Sequence, residues 1–508
     1  RASILKSPLP DQVVGCIAGT IELNTPSALV YEGTTLSLDF RGQYSEFNKN
    51  NDLIDETGMR MNARLTKSFS TANGEAGLVL GLDYMDNPIV IGQAWLPSYS
   101  KRTILGETAV VPNAAIFGND TEDFERVAGL GVFEWRSNEG TVLKIDALLT
   151  GTENPQHRTF LQINNLNAPN RYVSADIQGG ALQSGTLRNL LVLSRFEDLD
   201  RTDDAYMIGA NLKKSFDHWN LELDGYMSQT EVDFQLMRPL FRTLGVGVDF
   251  DFNGNDIAFS NFSKDLTDQG IWGAHQFFAF DRQIEDQSRG ISFDMDRDLD
   301  GVFTGIKLGA QYSERSMERL EVRSVDNSVR NGGLYPELAI GSLDPALFAV
   351  PYVDFNLWSD TAGTFPAPFA VFNRSAVFDA LPPPDFTVAN DDLLSRYVDN
   401  VEETWAVYLR ANFESAFAGK PLYGVLGARV INTELTASGY TGVPVPVTDP
   451  DTGAVTIEVP GTLAPAREKN DYTEVLPSLN VNLDLSDKWV ARAGIARTLA
   501  RPDFLDLR

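Results

Sequence analysis

The stretch Leu36-Ser37-Leu38-Asp39-Phe40-Arg41-Gly42-Gln43-Tyr44-Ser45 alternates apolar or small residues with polar or charged ones. Successive side chains of a β-strand point to opposite faces, so this stretch predicts a strand with one apolar and one charged face. The same period of two returns along the chain, with apolar faces formed by Met59, Met61, Ala63 and Leu65; Leu78, Leu80, Leu82 and Tyr84; Tyr206, Ile208, Ala210 and Leu212; Ile306, Leu308, Ala310 and Tyr312; and Val475, Leu479, Val481 and Leu483. The sequence therefore predicts an all-β protein.

The length of these strands separates two classes of β protein. Strands in soluble sandwiches run about five or six residues, whereas a tilted strand that crosses a bilayer needs roughly 9–11. The alternating segments fit the longer value, which favours a transmembrane β-barrel. Their apolar faces would then contact lipid. The charged faces would line a lumen, because each central Arg or Lys facing lipid would cost roughly 2–4 kcal/mol.

The connections between the strands are of two kinds. Short polar turns are predicted at Ser70–Gly74, Arg136–Gly140, Ser215–His218, Asp298–Gly301, Phe417–Lys420 and Leu485–Lys488. Long stretches, predicted to be irregular loops, cover residues 86–124, 151–204, 229–290, 314–402 and 432–471. Short turns on one side and long loops on the other are typical of outer-membrane barrels. The pattern gives about 13 antiparallel strands, an open set that would not close alone.

Composition excludes several functions. The 508 residues include 70 acidic and 42 basic ones, a net charge of -28, which disfavours nucleic acid as a partner because such binding depends on neutralising phosphates. The single cysteine, Cys16, cannot form an intrachain disulfide. The three histidines lie far apart without zinc or triad spacing, and no apolar run reaches the ~18 residues of a transmembrane helix. No enzyme activity, cofactor or metal site is predicted.

One local motif resembles a calcium loop. Residues 296–301 read Asp-Arg-Asp-Leu-Asp-Gly, the first half of an EF-hand loop, but such a loop needs a bidentate glutamate at its twelfth position. Lys307 stands there, so the segment is interpreted as a turn between strands.

Both ends of the chain carry further information. Ile4-Leu5-Lys6-Ser7-Pro8 is followed by a glycine-rich stretch that ends at Thr25. This arrangement resembles the end of the plug domain of TonB-dependent receptors, on the residues Lys6, Pro8, Gly15, Gly19, Thr20 and Thr25. Cys16 stands where that family usually has glycine. Near the other end, Leu476-Pro477-Ser478-Leu479-Asn480 and Thr498-Leu499-Ala500-Arg501-Pro502 resemble motifs of the large receptors of this family found in Xanthomonas- and Caulobacter-type bacteria.

The resemblance implies a barrel, 22-stranded in the family, in the outer membrane of a Gram-negative bacterium, blocked by an N-terminal plug and energised by the TonB complex. It implies that residues 1–28 are the C-terminal remnant of the plug and that residues 33–508 form a partial barrel surrounded by outer-membrane lipid. Arg1 opens without a methionine and Arg508 ends inside a pattern, so both ends are expected to be truncated, with the TonB box, most of the plug and the last strands missing.

Two segments of the long loops are candidate substrate contacts. One contains Trp272, His275, Phe277, Phe278 and Phe280; the other contains Tyr352, Asp354, Phe355, Trp358 and Asp360. Flat apolar rings beside polar groups suit sugars, since ligand sites combine apolar walls with a few placed polar groups. Packing of the loops against one another would explain the same rings. The cargo predicted from the resemblance is a scarce nutrient, in the first place an oligosaccharide.

Three alternatives are also compatible with the sequence. A siderophore or metal-chelate receptor would share the architecture. A passive porin or adhesin-like barrel would have no plug, so residues 1–25 would not pack inside the lumen. A soluble β-rich enzyme or glycan-binding protein would turn Leu78, Leu80 and Leu82 towards a protein core.

Overall fold

The computed structural model describes residues 2–5, 8–12, 20–49, 53–252, 257–326, 336–349, 368–381, 396–442, 445–448, 455–458, 463–501 and 504. The strands are β1 (Ala2–Leu5), β2 (Thr20–Leu23), β3 (Thr34–Tyr44), β4 (Thr57–Thr71), β5 (Gly74–Trp95), β6 (Tyr99–Ile104), β7 (Glu107–Pro112), β8 (Ala114–Ser137), β9 (Thr141–Glu153), β10 (Gln156–Asn164), β11 (Tyr172–Gln178), β12 (Ala181–Phe216), β13 (Trp219–Asp251), β14 (Ala258–Ser260), β15 (Gly273–Asp298), β16 (Phe303–Asp326), β17 (Phe348–Ala349), β18 (Val371–Phe372), β19 (Val398–Phe417), β20 (Lys420–Thr441), β21 (Val445–Thr448), β22 (Val455–Glu458), β23 (Ala464–Ser486) and β24 (Trp489–Ala496). The helices are α1 (Arg374–Ala380) and the 3₁₀ segments Glu46–Asn48, Pro169–Arg171, Gln269–Ile271, Pro336–Leu338 and Pro345–Leu347. None of the helices in this part of the chain has the length and hydropathy of a transmembrane helix.

A wall of antiparallel strands forms most of the molecule. Within the described residues, thirteen strands each pair with the next one in the order β3, β4, β5, β8, β9, β12, β13, β15, β16, β19, β20, β23 and β24. The predicted all-β, antiparallel barrel architecture is confirmed.

The six predicted turns are confirmed as well. Each lies between two wall strands that pair from the turn onwards; Ser70–Gly74 joins β4 to β5, and Asp298–Gly301 joins β15 to β16. The segment that resembles a calcium loop is thus a strand end and a turn. The described residues contain no group of three or more His, Cys, Asp or Glu side chains placed to hold a metal ion.

The wall has one apolar face without protein covering it. In β3 the side chains of Leu36, Leu38 and Phe40 are 62%, 72% and 69% exposed, and in β5 those of Leu80 and Leu82 are exposed too. We call this the outer face and the opposite one the inner face. Exposed apolar stripes in water would be an aggregation surface, whereas lipid accepts them. The soluble alternative, which needed Leu80 and Leu82 inside a protein core, is therefore wrong.

The strands are longer than predicted. β5, β12, β13 and β15 have 22, 36, 33 and 26 residues, against the roughly 9–11 that cross a bilayer. Much of the stretches 86–124, 151–204, 229–290, 314–402 and 432–471, predicted to be irregular, is therefore strand, and this part of the prediction is wrong. The upper halves of the strands, those away from the short turns, continue the wall beyond the membrane.

An apolar cluster of connecting segments covers part of the outer face of these upper halves, on β8, β10, β12, β13 and β15. Trp272 and Phe372 pack with wall residues such as Phe196, Phe241 and Phe277, and Phe241 stacks on Phe372 with ring centroids 3.6 Å apart. Because protein covers this face, apolar residues occur on it far from lipid, and the strands lose the simple alternation seen near the turns.

A proline divides one row of the wall into two strands. β9 and β10 both lie between β8 and β12, separated only by Asn154 and Pro155. Proline has no N–H group to donate to a neighbouring strand, so the ladder is interrupted there and resumes at Gln156. The resumed strand β10 brings Arg158 into the upper part of the wall.

Candidate functional site

Residues 8–12 lie against the inner face of the wall. The carboxylate of Asp11 is 2.7 Å from Nη1 of Arg410 on β19 and 3.4 Å from Nζ of Lys307 on β16. The side-chain amide of Asn480 on β23 donates a hydrogen bond to the carbonyl of Pro8 at 3.1 Å. This short segment is thus held by three wall strands through polar contacts.

Residues 25–28 are held by a different part of the inner face. The hydroxyl of Thr25 donates to Asp146 on β9, and that of Ser27 donates to Glu134 on β8, each at 2.5 Å. The amide N–H of Ala28 donates to the same carboxylate of Glu134 at 3.0 Å. Carboxylates on the inner face therefore serve as acceptors for the chain that precedes the first wall strand.

Gly77 of β5 allows this segment to approach closely. A Cβ atom on Gly77 would lie 2.5 Å from the carbonyl oxygen of Ala28, and Ala28 itself has no exposed surface. We expect Gly77→Val to displace residues 25–28 from the wall and break the hydrogen bond from the Ala28 amide to Glu134. Hydrogen bonds to charged groups are worth about 1.5–3 kcal/mol, so hydrogen exchange at that amide should accelerate roughly tenfold or more.

The control for this substitution is Gly129→Ala on β8, where a new Cβ would meet nothing within 4 Å. Exchange of the peptide that contains Ala28 should be unchanged in that variant. Equal exchange in both variants would contradict the close packing of this segment on β5.

The segment after β24 also lies on the inner face. Arg501 is 3.3 Å from Glu402 of β19 and donates to the hydroxyl of Thr433 on β20 at 3.1 Å. The side-chain amide of Asn400 donates to the carbonyl of Phe504 at 2.9 Å, and the Phe504 ring is buried. Both chain ends of the described structure thus contribute to filling the space inside the wall.

A cluster of arginines surrounds Glu321 higher on the wall. The side chain of Glu321 has no exposed surface and forms ion pairs with Arg282 at 2.6 Å, Arg323 at 2.5 Å, Arg396 at 3.8 Å and also Arg319. Burial by itself would raise the pKa of this carboxyl, but hydrogen bonds and positive charges from Arg319 and Arg282 outweigh it and lower the pKa to about 2. Glu321 is 18 residues (321 minus 303) beyond the start of β16, outside the roughly 9–11 that span a bilayer.

A second cluster forms around Glu197 on β12. Its buried carboxylate is 2.7 Å from Nε of Arg195, 3.6 Å from Nη1 of Arg158, and in contact with Arg238. Arg158 also pairs with the buried Asp120 of β8 at 2.7 Å. Three guanidinium groups therefore share two carboxylates across four neighbouring strands.

Two phenylalanines of β15 connect the clusters. The guanidinium of Arg238 lies 5.1 Å from the ring centroid of Phe278, and that of Arg282 lies 5.1 Å from the centroid of Phe280. The two rings are 5.9 Å apart. We call the whole set the arginine belt: Arg158, Arg195, Arg238, Arg282, Arg319, Arg323, Arg396, Asp120, Glu197, Glu321, Phe278 and Phe280.

The arginine belt faces inwards. In β13 the exposed side chains of Leu223 and Met227 belong to the outer face, so the odd-numbered residues point out and the even-numbered ones, including Arg238, point in. The pairing of β13 with β15 runs without a register shift from Trp219 to Leu240, so this facing holds along the length of the strand. The belt thus continues, at a higher level, the face that holds residues 8–12 and 25–28.

The predicted substrate contacts of this segment lie on different faces of the wall. Trp272 has no exposed surface and its indole N–H donates to the carbonyl of Leu266, and Phe277 is also buried. Both rings belong to the apolar cluster on the outer face, where they pack against connecting segments and other wall residues. His275 is half-buried between them on β15. Their neighbours Phe278 and Phe280 face inwards in the arginine belt.

Other predicted site residues cannot be compared with the structure. Tyr352, Asp354, Phe355, Trp358 and Asp360, and the plug-like residues Lys6, Gly15 and Gly19, lie outside the described residues. Of the remaining plug-like residues, Pro8 and Thr25 contact the inner face, and Thr20 belongs to β2, which pairs with β1.

Comparison with known proteins agrees with this architecture. A family model described as "TonB dependent receptor-like, beta-barrel" matches residues 233–508, more than half of the chain. No curated protein and no solved structure gives a significant match. Proteins of this family are receptors and transporters of the Gram-negative outer membrane, not enzymes. The chain therefore belongs to the TonB-dependent receptor β-barrel family.

Proposed function

We propose that this protein is an active importer that takes an oligosaccharide through the outer membrane with energy supplied by TonB. Residues 1–28 act in it as the end of the plug and residues 33–508 as part of the barrel. The proposal is supported by the contacts that residues 8–12 and 25–28 make with the inner face. Asp11 pairs with Arg410 of the wall, and the amide N–H of Ala28 donates to Glu134 of the wall. A lumen filled in this way needs energy to open.

The same contacts argue against a passive porin. In an open pore the inner carboxylates of Asp146 and Glu134 would be solvated by water, whereas here they accept hydrogen bonds from Thr25, Ser27 and Ala28. The contacts are polar and few. Water can replace polar contacts when a segment moves. Residues 25–28 are therefore held on the inner face in this conformation, yet a pulling force can detach them.

Transport would then proceed in three steps. The cargo docks on the upper inner face, the plug changes its conformation, and force from TonB opens a path along the inner wall. The rings of Phe278 and Phe280 beside guanidinium groups support a saccharide cargo, because flat apolar faces next to hydrogen-bond donors suit sugar rings. No covalent chemistry and no cofactor are required of the protein.

Uptake measurements test this proposal. The full-length receptor is expressed in a host that lacks its own saccharide porins, and uptake of labelled tetrasaccharides is followed with and without a functional TonB complex. We expect uptake to fall at least tenfold without TonB. A porin would admit the same saccharides at equal rates in both strains, and that result would overturn active import.

A further inference from the structure

We propose that the arginine belt binds a cargo that carries several carboxylate groups on a scaffold of rings, such as an acidic oligosaccharide. The inference rests on the proposed function, which it sharpens by naming the chemical class of the cargo. It concerns a surface that no sequence motif singles out, since its arginines are spread from residue 158 to residue 396.

The charge of the belt differs in sign from that of the chain. Among the described residues, its ion pairs join seven arginines to three carboxylates, and Glu122 lies close enough to Asp120 to raise its pKa. The chain as a whole has 70 acidic and 42 basic residues. Neighbouring guanidinium groups repel one another and attract anions, so carboxylates that bind beside them are stabilised. A bound polycarboxylate would supply those anions.

The guanidinium groups are both ordered and accessible. The side chains of Arg238 and Arg323 are 27% and 34% exposed, while the carboxylates that hold them, Glu197 and Glu321, are almost fully buried. A guanidinium held in this way loses little further conformational freedom when it binds a ligand. Its planar set of N–H donors matches the two oxygens of a carboxylate, which makes arginine the preferred partner for such groups.

The apolar part of the belt is the reason for proposing that the cargo carries its carboxylates on a scaffold of rings. Phe278 and Phe280 stand between Arg238 and Arg282, and in the sheet register Phe280 is paired with Arg323. A ligand along these positions meets a guanidinium, two ring faces and again a guanidinium. A chain of pyranose rings with carboxylates at its edges presents the complementary order of charged and apolar groups.

The outer face at the same level has the opposite charge. Glu231, Asp233, Glu285 and Glu318 line a shallow groove there, on the far side of the strands that carry the belt. An anionic cargo is repelled from this outer surface and attracted to the inner one. The electrostatic field therefore favours entry into the lumen at the upper end of the wall over adsorption to its outer side.

Binding to the purified full-length receptor in detergent tests the inference. The probes are a tetramer of galacturonate, the same tetramer with every carboxyl methyl-esterified, and ferric citrate, which carries carboxylates without sugar rings. We expect the acid tetramer to bind at least tenfold tighter than its ester, with an affinity that falls as salt is added. Arg238→Gln and Arg323→Gln should each weaken the acid tetramer roughly tenfold and leave the ester unchanged.

The matched control is Arg289→Gln. Arg289 lies on the outer face of β15, is 68% exposed and pairs with Glu314, so its loss removes the same charge at a distance from the belt. It should leave all affinities unchanged, and circular dichroism should show that the three variants are equally folded.

The outcomes separate this inference from the proposed function. Equal binding of acid and ester, or no effect of Arg238→Gln and Arg323→Gln, would overturn the role of the belt while leaving saccharide import in place. Arginine-dependent binding of ferric citrate alone would support carboxylate recognition and overturn the saccharide. Failure of all three probes to bind would overturn the inference itself.

Discussion

A receptor with Leu80→Arg is expected not to assemble into membranes. Leu80 lies on the outer face of β5, where its side chain is 46% exposed and Leu82, two residues on, is 57% exposed. A guanidinium at the middle of the bilayer on this face costs roughly 2–4 kcal/mol. Because folded proteins are stable by only about 5–15 kcal/mol, we expect the yield of folded barrel in lipid vesicles to fall severely, measured by its mobility in unheated gel electrophoresis.

The control is Asp39→Asn on the charged face of β3, where the side chain is exposed and pairs with the neighbouring Arg41. Exposed ion pairs contribute about 0–1 kcal/mol, so assembly should be nearly unchanged. Equal yields for both variants would show that the outer face does not contact lipid.

The second large effect is expected for Glu321→Ala. The substitution leaves Arg282, Arg319, Arg323 and Arg396 together without the carboxylate that they share. Removal of one partner from a buried ion pair costs about 3–5 kcal/mol. We expect a value near the lower end, about 3 kcal/mol, because Arg323 and Arg396 reach solvent that screens their charges. The midpoint of urea unfolding of the refolded barrel measures it.

The effect should depend on pH in a defined direction. The carboxyl of Glu321 has its pKa lowered from about 4.5 to about 2, so it stays ionised in the folded state where it would be protonated in the unfolded chain. Its stabilising contribution is complete above pH 4.5 and is lost as the pH falls towards 2. The difference in stability between the native protein and Glu321→Gln should therefore be constant from pH 7 to pH 5 and shrink below that.

Glu314→Gln is the comparison for this experiment, since Glu314 lies on the outer face of β16, the strand that also carries Glu321, and pairs with the well-exposed Arg289 of β15. Its effect should stay below about 1 kcal/mol. If Glu321→Gln proved as stable as the native protein at pH 7, the four arginines would not depend on this carboxylate.

The lower part of the wall was predictable because one physical rule governs it. Where one face meets lipid and the other meets water or polar groups, the sequence alternates, as it does from Leu36 to Tyr44, and each short turn marks a reversal. The facing of Leu80 and the positions of all six turns follow from that rule alone.

The upper part of strands such as β12 escaped prediction because protein covers both of its faces there. In β12, residues 190–199 have apolar side chains such as Val192 and Phe196 against the outer cluster, and Leu193 and Leu199 on the opposite face. A strand buried on both sides gives no alternation and resembles a loop when read residue by residue.

The candidate site was only partly predictable for a related reason. Phe278 and Phe280 belong to a segment that the sequence marks as rich in aromatic rings, but adjacent rings on a strand face opposite ways, which places Phe277 in the outer cluster. The arginines have no common motif. They meet through pairings such as Arg158 with Glu197, and Arg282 with Glu321, between residues that lie 39 positions apart (197 minus 158; 321 minus 282) on paired strands.

The great length of the strands places the site that binds the cargo far from the level at which the lumen is blocked. On β15, Arg282 is 14 residues (296 minus 282) above Asp296, which pairs with Lys307 at the level of Asp11. At ~3.3 Å per residue this is about 45 Å along the strand. A cargo bound to the arginine belt is still far from residues 8–12, which block the lumen at the lower level. The protein can therefore bind its cargo tightly and selectively while the lumen stays closed.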